Sequence, residues 1–330
     1  MHIPDGLMDP MVAGLGWVEF AAVAAAAIYL SGKKVRDKDL PRIAVLCAGI
    51  FVAQMLNFPV GGGTTGHLVG GALLAIMVGP VVAIVGMTVI LLIQALMFGD
   101  GGLTAFGLNA LNMAIIAPLM GWGVYSMLKP LLSRGEAPSG KAFTPGEAFA
   151  IGAGAWASVF VAACACAAEL AVSYAISGGA YGIAATVSVP AMLGYHAVIG
   201  IGEAIITVGV AAYVLTVSPG MFKARTAGPE ASPGLRGVLS SRVAQATVAI
   251  IIAFALALPL YFIYSSEGAD GLEKTMEDAA VSEGEPLLTS PFSYGETYFA
   301  ALFAGILGFV AVALAGLGLM KVLRAGKTAE

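Results

Sequence analysis

The sequence predicts an all-α, polytopic membrane protein, a helix bundle of about nine transmembrane passages made of a seven-pass unit and a two-helix unit. Three observations carry this. Of the 330 residues, 59% are apolar and only 11% charged, less than half the charged share of about 25% in a soluble domain. Several apolar stretches exceed the roughly 20 residues that cross the hydrocarbon core as a helix, and their Ala and Gly content suits close helix packing in lipid. The period-two alternation of a membrane β-barrel is missing.

The candidate spans run over 11–31, 41–57, 68–98, 108–128, 146–177, 188–217, 243–264 and 297–320. Loops rich in Lys and Arg stay in the cytoplasm. The segment "GKKVRDKDLPR" after the first span therefore places the N-terminus outside, and the second span returns the chain outward at "NFPVGGGTTGH". A single crossing over 68–98 would force Lys129, Arg134 and Lys141 outside, against that rule. The stretch is expected instead to enter and return, divided at Gly79-Pro80 into two short or tilted helices or a re-entrant hairpin. Membranes tolerate such irregular backbone when it is buried in protein. Loops 129–145 and 218–242 and the tail 321–330 then lie inside, and 177–187 and 265–296 outside. Fifteen of the sixteen Lys and Arg fall on the cytoplasmic side, Lys274 being the exception, which favours nine passages over eight and a cytoplasmic C-terminus. The expected location is a bacterial or archaeal cell membrane.

A Pro/Gly/Ser/Arg run, "PGMFKARTAGPEASPGLRGVLSSR", reads as a linker. It separates a membrane unit, 1–220, from a C-terminal one, 243–330, across 221–242. The external loop 265–296 holds eight acids and one lysine. It is either a solvated acidic hairpin or a negative surface that concentrates cations and docks over the first unit. "MHIPDGLMDP" lacks the basic region that opens a signal peptide, so the mature chain is expected to start at or near Met1, kept because a bulky residue follows. Cys47, Cys164 and Cys166 all lie in apolar stretches and are expected to be small core residues, with a soft metal-ligand set as the alternative. No nucleic-acid partner is expected.

Only three histidines are present: His2, His67 and His196. A free amine followed by an X-His dipeptide chelates a metal through the amine nitrogen, the deprotonated amide nitrogen of His2 and the His2 imidazole, closing a five- and a six-membered ring in one plane. On the predicted topology Met1 and His67 share the external face, and His67 completes four nitrogens. Square-planar nitrogen coordination points to Ni(II) or Cu(II), and imidazole-rich sites also suit Co(II) and Zn. The bland alternatives are a frayed terminus at His2 and a surface or capping role for His67. "GGGTTGH" lacks the Lys of a phosphate loop.

"MHIPDG", "NFPVGGGTTGHLVGGAL" and "GDGGLTAFGLNALNM" closely resemble the CbiM/NikM family, substrate-capture subunits of energy-coupling factor transporters for cobalt and nickel, over approximately residues 1–220. "ADGLE" (269–273) resembles the "PDGLE" element of the CbiN/NikN partner, with Ala269 in place of the usual Pro, so the whole looks most like the fused NikMN type. The resemblance implies Met1, His2 and His67 as ligands of transported Ni(II) or Co(II), with no permanently bound cofactor. It also implies that ATP is hydrolysed on separate CbiO/NikO-like subunits, joined through a CbiQ/NikQ-like coupling subunit. "KVLRAGKT" ends in Gly-Lys-Thr, but Lys321 stands where a Walker A motif needs its first Gly.

His196 and Glu203, seven residues apart on one helix face, are the other intramembrane polar pair, and ionisable groups in a span are functional suspects. They relay metal, titrate with transport or bind the coupling subunit, or else they are satisfied structural groups. Glu169 and Glu19 are single candidates of the same kind. Two competing functions remain: a stand-alone channel or secondary carrier, and an intramembrane metalloenzyme with His67 and His196 as ligands and Glu203 as base. The latter lacks an HExxH pair.

Overall fold

The computed structural model describes residues 1–36, 39–61, 63–132, 143–217, 242–265 and 268–325. The chain runs α1 (Pro10–Lys34), α2 (Leu40–Gln54), β1 (Asn57–Gly61), β2 (Thr64–His67), α3 (Gly71–Val78), α4 (Pro80–Ile93), α5 (Phe106–Ala110), α6 (Ala117–Leu132), α7 (Pro145–Ile176), α8 (Ala185–Val217), α9 (Arg242–Tyr264), α10 (Gly271–Asp278) and α11 (Tyr298–Ala325). Two π-helical turns, Gln94–Phe98 and Leu111–Ile116, extend α4 and join α5 to α6. Among the described residues seven helices are long and apolar enough to cross a membrane. The expected nine passages are these seven together with α2 and α3, of 15 and 8 residues. At about 1.5 Å per residue each is shorter than a bilayer core of roughly 30 Å.

Helix boundaries follow local chemistry. Asp9 caps α1 by accepting from the Met11 amide, with Pro10 at the first helical position, and Thr144 and Pro145 repeat the arrangement at α7. Such caps satisfy amides that have no partner within the helix. The division foreseen at Gly79-Pro80 is present: Gly79 ends α3 at φ 89°, ψ 152° and Pro80 opens α4. That backbone conformation is open essentially to glycine alone.

Small residues let the helices close. A Cβ on Gly121 would stand 2.4 Å from the Ala72 side chain, and one on Gly154 2.6 Å from the Gly121 carbonyl, so α3, α6 and α7 meet backbone to backbone. Of the C-terminal helices, α11 packs on α2, its Gly308 making room for the Phe51 ring. Met1, Ile3 and Leu7 lie in the same buried core as Phe51, Phe106 and Met113. The N-terminus is thus packed inside the protein, not frayed. The expected linker, 221–242, lies outside the described residues apart from Arg242, which opens α9.

One element departs from the all-helical expectation. The stretch 57–67 is an antiparallel hairpin pairing Asn57 with His67 and Phe58 with Gly66, with a bulge between Pro59 and Gly61. It is too short to register as alternation. Its open edge receives the C-terminal unit: the Thr65 amide donates to the Ala269 carbonyl at 2.8 Å, and Thr64 bridges Ala269 in parallel.

Candidate metal centre

The N-terminal segment is held by backbone and side-chain bonds that set its register. The Ile3 amide donates to Asn109 Oδ1 at 2.7 Å, and the Ile3 carbonyl accepts from Asn109 Nδ2 at 3.0 Å and from the Gly102 amide at 2.8 Å. Gly102 has to be glycine, since a Cβ there would stand 2.2 Å from the Asp5 nitrogen. Asp5, turned inward, accepts from the Thr104 amide and hydroxyl (2.7 and 2.6 Å) and from the Leu287 amide (2.8 Å), tying terminus, 99–105 loop and C-terminal unit together.

This clamp delivers Met1 and His2 to His67. The Met1 amine nitrogen stands 3.4 Å from His67 Nε2, and the His2 and His67 rings stack at 5.3 Å between centroids. His67 Nδ1 lies 3.0 Å from the Leu68 carbonyl. A carbonyl only accepts, so Nδ1 carries the proton and the Nε2 lone pair faces the amine. The three nitrogen-bearing residues singled out from the sequence are therefore neighbours. His2 Nδ1 sits 3.0 Å from Asp100 Oδ1 and its Nε2 3.4 Å from Gln94 Oε1.

The electrostatics come largely from a residue of the C-terminal unit. Asp270 Oδ2 lies 3.1 Å from the Met1 amine and 3.6 Å from His67 Nε2. Its Oδ1 caps α10 by accepting from the Leu272 and Glu273 amides, while the Glu273 side chain accepts from the Asp270 amide. Burial alone would lower the Met1 ammonium, but the Asp270 carboxylate reverses this and leaves it above its ordinary value. Burial alone would raise Asp270, and the ammonium holds it well below the carboxylate range. Burial takes the His2 imidazole down to about 4 against the pull of Asp100, so it is neutral at physiological pH. The cluster opens into a cavity of about 410 Å³ whose acids include Asp100, Asp270, Glu273 and Glu283.

His196 and Glu203 take separate partners. His196 Nδ1 bonds the Met192 carbonyl one turn back at 2.8 Å, and its ring packs on Gly271. Glu203 accepts from the Val69 and Gly70 amides at 2.7 and 2.9 Å, fixing the backbone just beyond His67. That carboxylate is a backbone clamp, which leaves the metalloenzyme reading without its base. Glu169 accepts from Asn112 at 2.7 Å. Sequence reasoning did not single out Asp270, Asp100, Asn109, or the Gln94–Gln54–Val69 chain of hydrogen bonds (2.9 and 2.8 Å) running from His2 toward the Glu203 clamp. Asp270 and Asp100 lie within quoted motifs, "ADGLE" and "GDGGLTAFG", so those motifs were the available signal. Among the described residues no group of three or more His, Cys, Asp or Glu side chains is placed to hold a metal. The Met1 amine and the His2 amide are backbone groups, not side chains.

Comparison with known proteins follows the same lines. Two solved structures, described as a transition metal transporter and a truncated form of one, each share 35% identity at a TM-score of 0.57. Each comparison covers 66% of this chain, with 93% and 99% of the respective partner. The membrane-length helices define a multi-pass membrane protein, and its fold is shared with transition metal transporters. The family model described as "CbiM: Cobalt uptake substrate-specific transmembrane region" matches residues 2–221, and the chain belongs to that family. A relative in Archaeoglobus fulgidus, named as a fused nickel transport protein NikMN, is 34% identical over 98% of this chain and 99% of its own length. One in Haloquadratum walsbyi, named for metal transport, is 39% identical over 72% of this chain and all of its own length. The family is described by cobalt uptake, and these relatives are named as nickel and metal transport proteins.

Proposed function

We propose that the chain is the substrate-capture subunit of an ATP-driven importer of the energy-coupling factor type, taking Ni(II) or Co(II) from outside through a chelate made by its own N-terminus. The donors are the Met1 amine, the His2 amide and imidazole Nδ1, and His67 Nε2. The observation that supports this best is the packing of the terminus: Met1 is 1% exposed with its amine 3.4 Å from a histidine nitrogen whose lone pair faces it. A buried charged amine is costly unless it is paired, and Asp270 pairs it at 3.1 Å where it stands beside His67. Closing the six-membered ring requires the His2 imidazole to turn off Asp100. On this reading the N-terminus is external, residues 1–220 form the capture unit and 243–330 a CbiN/NikN-like unit. The metal is the cargo, and ATP is hydrolysed on CbiO/NikO-like partners acting through a CbiQ/NikQ-like subunit.

The names of the relatives favour nickel, and a four-nitrogen plane suits that ion. The test is competition binding by the purified chain, with Ni(II), Co(II), Cu(II) and Zn(II) at equal free concentration. Ni(II) or Co(II) is expected at one per chain, with His67→Ala losing high-affinity binding while staying folded. Unchanged binding by His67→Ala rules out the site. Uptake that persists without a cognate ATPase would instead establish the stand-alone carrier.

A further inference from the structure

The three atoms nearest one another at the head of the cavity are not the four nitrogens of the chelate. They are the Met1 amine, His67 Nε2 and Asp270 Oδ2, at mutual separations of 3.4, 3.1 and 3.6 Å. A point equidistant from all three lies about 2 Å from each, the length of metal–nitrogen and metal–oxygen bonds to a first-row divalent ion, roughly 2.0–2.2 Å. Moved slightly out of their plane, such an ion has angles near tetrahedral, and His67 and Asp270 both line the cavity. His2, meanwhile, is held aside, its Nδ1 3.0 Å from Asp100 Oδ1.

We infer that Asp270 is an entry ligand: the incoming cation is first bound by the amine, His67 and the Asp270 carboxylate, and the His2 amide and imidazole then displace that oxygen. This rests on the capture function proposed above and extends it to a residue of the C-terminal unit. The steps balance in protons. The amine gives one to water as it coordinates, and the His2 amide gives another as it replaces Asp270. A carboxylate that trades places with an anionic amide nitrogen keeps the charge around the cation constant through the exchange. Asp270 can supply the oxygen because its other oxygen and its backbone are pinned by the α10 cap, while Thr65 holds the preceding residue against β2. The C-terminal unit thus contributes a ligand to loading and not only a cover.

Asp270→Asn separates the roles. Asn caps a helix as well as Asp, so its carbonyl keeps α10 in place, while an amide nitrogen replaces Oδ2 and cannot ligate. In the full chain in lipid nanodiscs, stopped-flow mixing with Co(II) is expected to show association and dissociation both slowed at least tenfold, with the dissociation constant within about threefold of wild type. His2→Ala, which cannot close the six-membered ring, is expected to hold Co(II) at the entry step with the intense visible bands of a tetrahedral site. Those bands should vanish in His2→Ala/Asp270→Asn. Faster loading and tighter binding by Asp270→Asn would mean that the carboxylate only competes with the cation for the amine, and would overturn the inference. So would a loading rate equal to wild type. If wild type itself binds neither Ni(II) nor Co(II), the capture function fails; if wild type binds and Asp270→Asn loads normally, only the entry ligand does.

Discussion

Asn109 carries the prediction that depends most directly on the folded geometry. Asn109→Ala removes the acceptor of the Ile3 amide and one of two donors to the Ile3 carbonyl. The carbonyl keeps its bond from Gly102, but the Ile3 amide is left without its partner at a residue that is 0% exposed. An orphaned buried donor costs about 1–3 kcal/mol and the second lost bond roughly 1 more. The proposed chelate needs the terminus in its clamped register, so that sum, about 2–4 kcal/mol, is expected to be taken from the binding free energy. At about 1.4 kcal/mol per tenfold, the affinity should fall between roughly 30- and several hundredfold. The assay is competition against a chromophoric chelator in detergent micelles, with acylation of the Met1 amine followed by mass spectrometry as a readout of how often the terminus leaves its site. Asn112→Ala is the control: its side chain faces Glu169, and neither affinity nor acylation should change. An Asn109→Ala chain that binds within twofold of wild type and protects its amine equally would refute the idea that this clamp positions the chelate.

The remaining predictions follow from the same site. One residue added before Met1, or acetylation of the amine, replaces a coordinating amine by a peptide nitrogen beside Asp270 and should abolish high-affinity binding although every side chain remains; full affinity in either form would disprove the amine as a ligand. Deleting 243–330 strips the cover from Phe51 and removes Asp270, so thermal stability and uptake should both fall in reconstituted vesicles while equilibrium binding largely persists; undiminished uptake would leave the C-terminal unit without a role in transport. Partial burial raises the Asp5 carboxyl, but its bonds from Thr104 and Leu287 hold it below the usual range, so their stabilisation is present above the unfolded value of about 3.9 and is lost as pH falls through the depressed one. Melting curves from pH 5 to pH 3 should show wild type losing stability, and Asp5→Asn, less stable at pH 5, losing less over the same interval; parallel losses would show that other acids control the transition.

Membrane-length helices, the break at Gly79-Pro80 and the grouping of Met1 with His2 could all be read from the chain because each depends on adjacent residues. Hydropathy sums over one helix, a glycine conformation is local, and the donors of both proposed chelate rings belong to two consecutive residues. Met1 and His67 could be assigned to one face by counting charges, which distribute loops between two sides but say nothing of contact at 3.4 Å. Only the tertiary structure decided the rest. The hairpin that carries His67 is too short to announce itself by alternation. Asp270, 269 residues from Met1, reaches the amine because β2 accepts Ala269 as a neighbour and α11 packs on α2 through Gly308. Glu203 looked from the sequence like a possible chemical group, and in the fold both of its oxygens are spent on the Val69 and Gly70 amides. Periodicity shows which face of a helix turns inward, but the partner that a buried carboxylate finds there depends on how distant segments pack, because a hydrogen bond is a matter of tenths of an ångström.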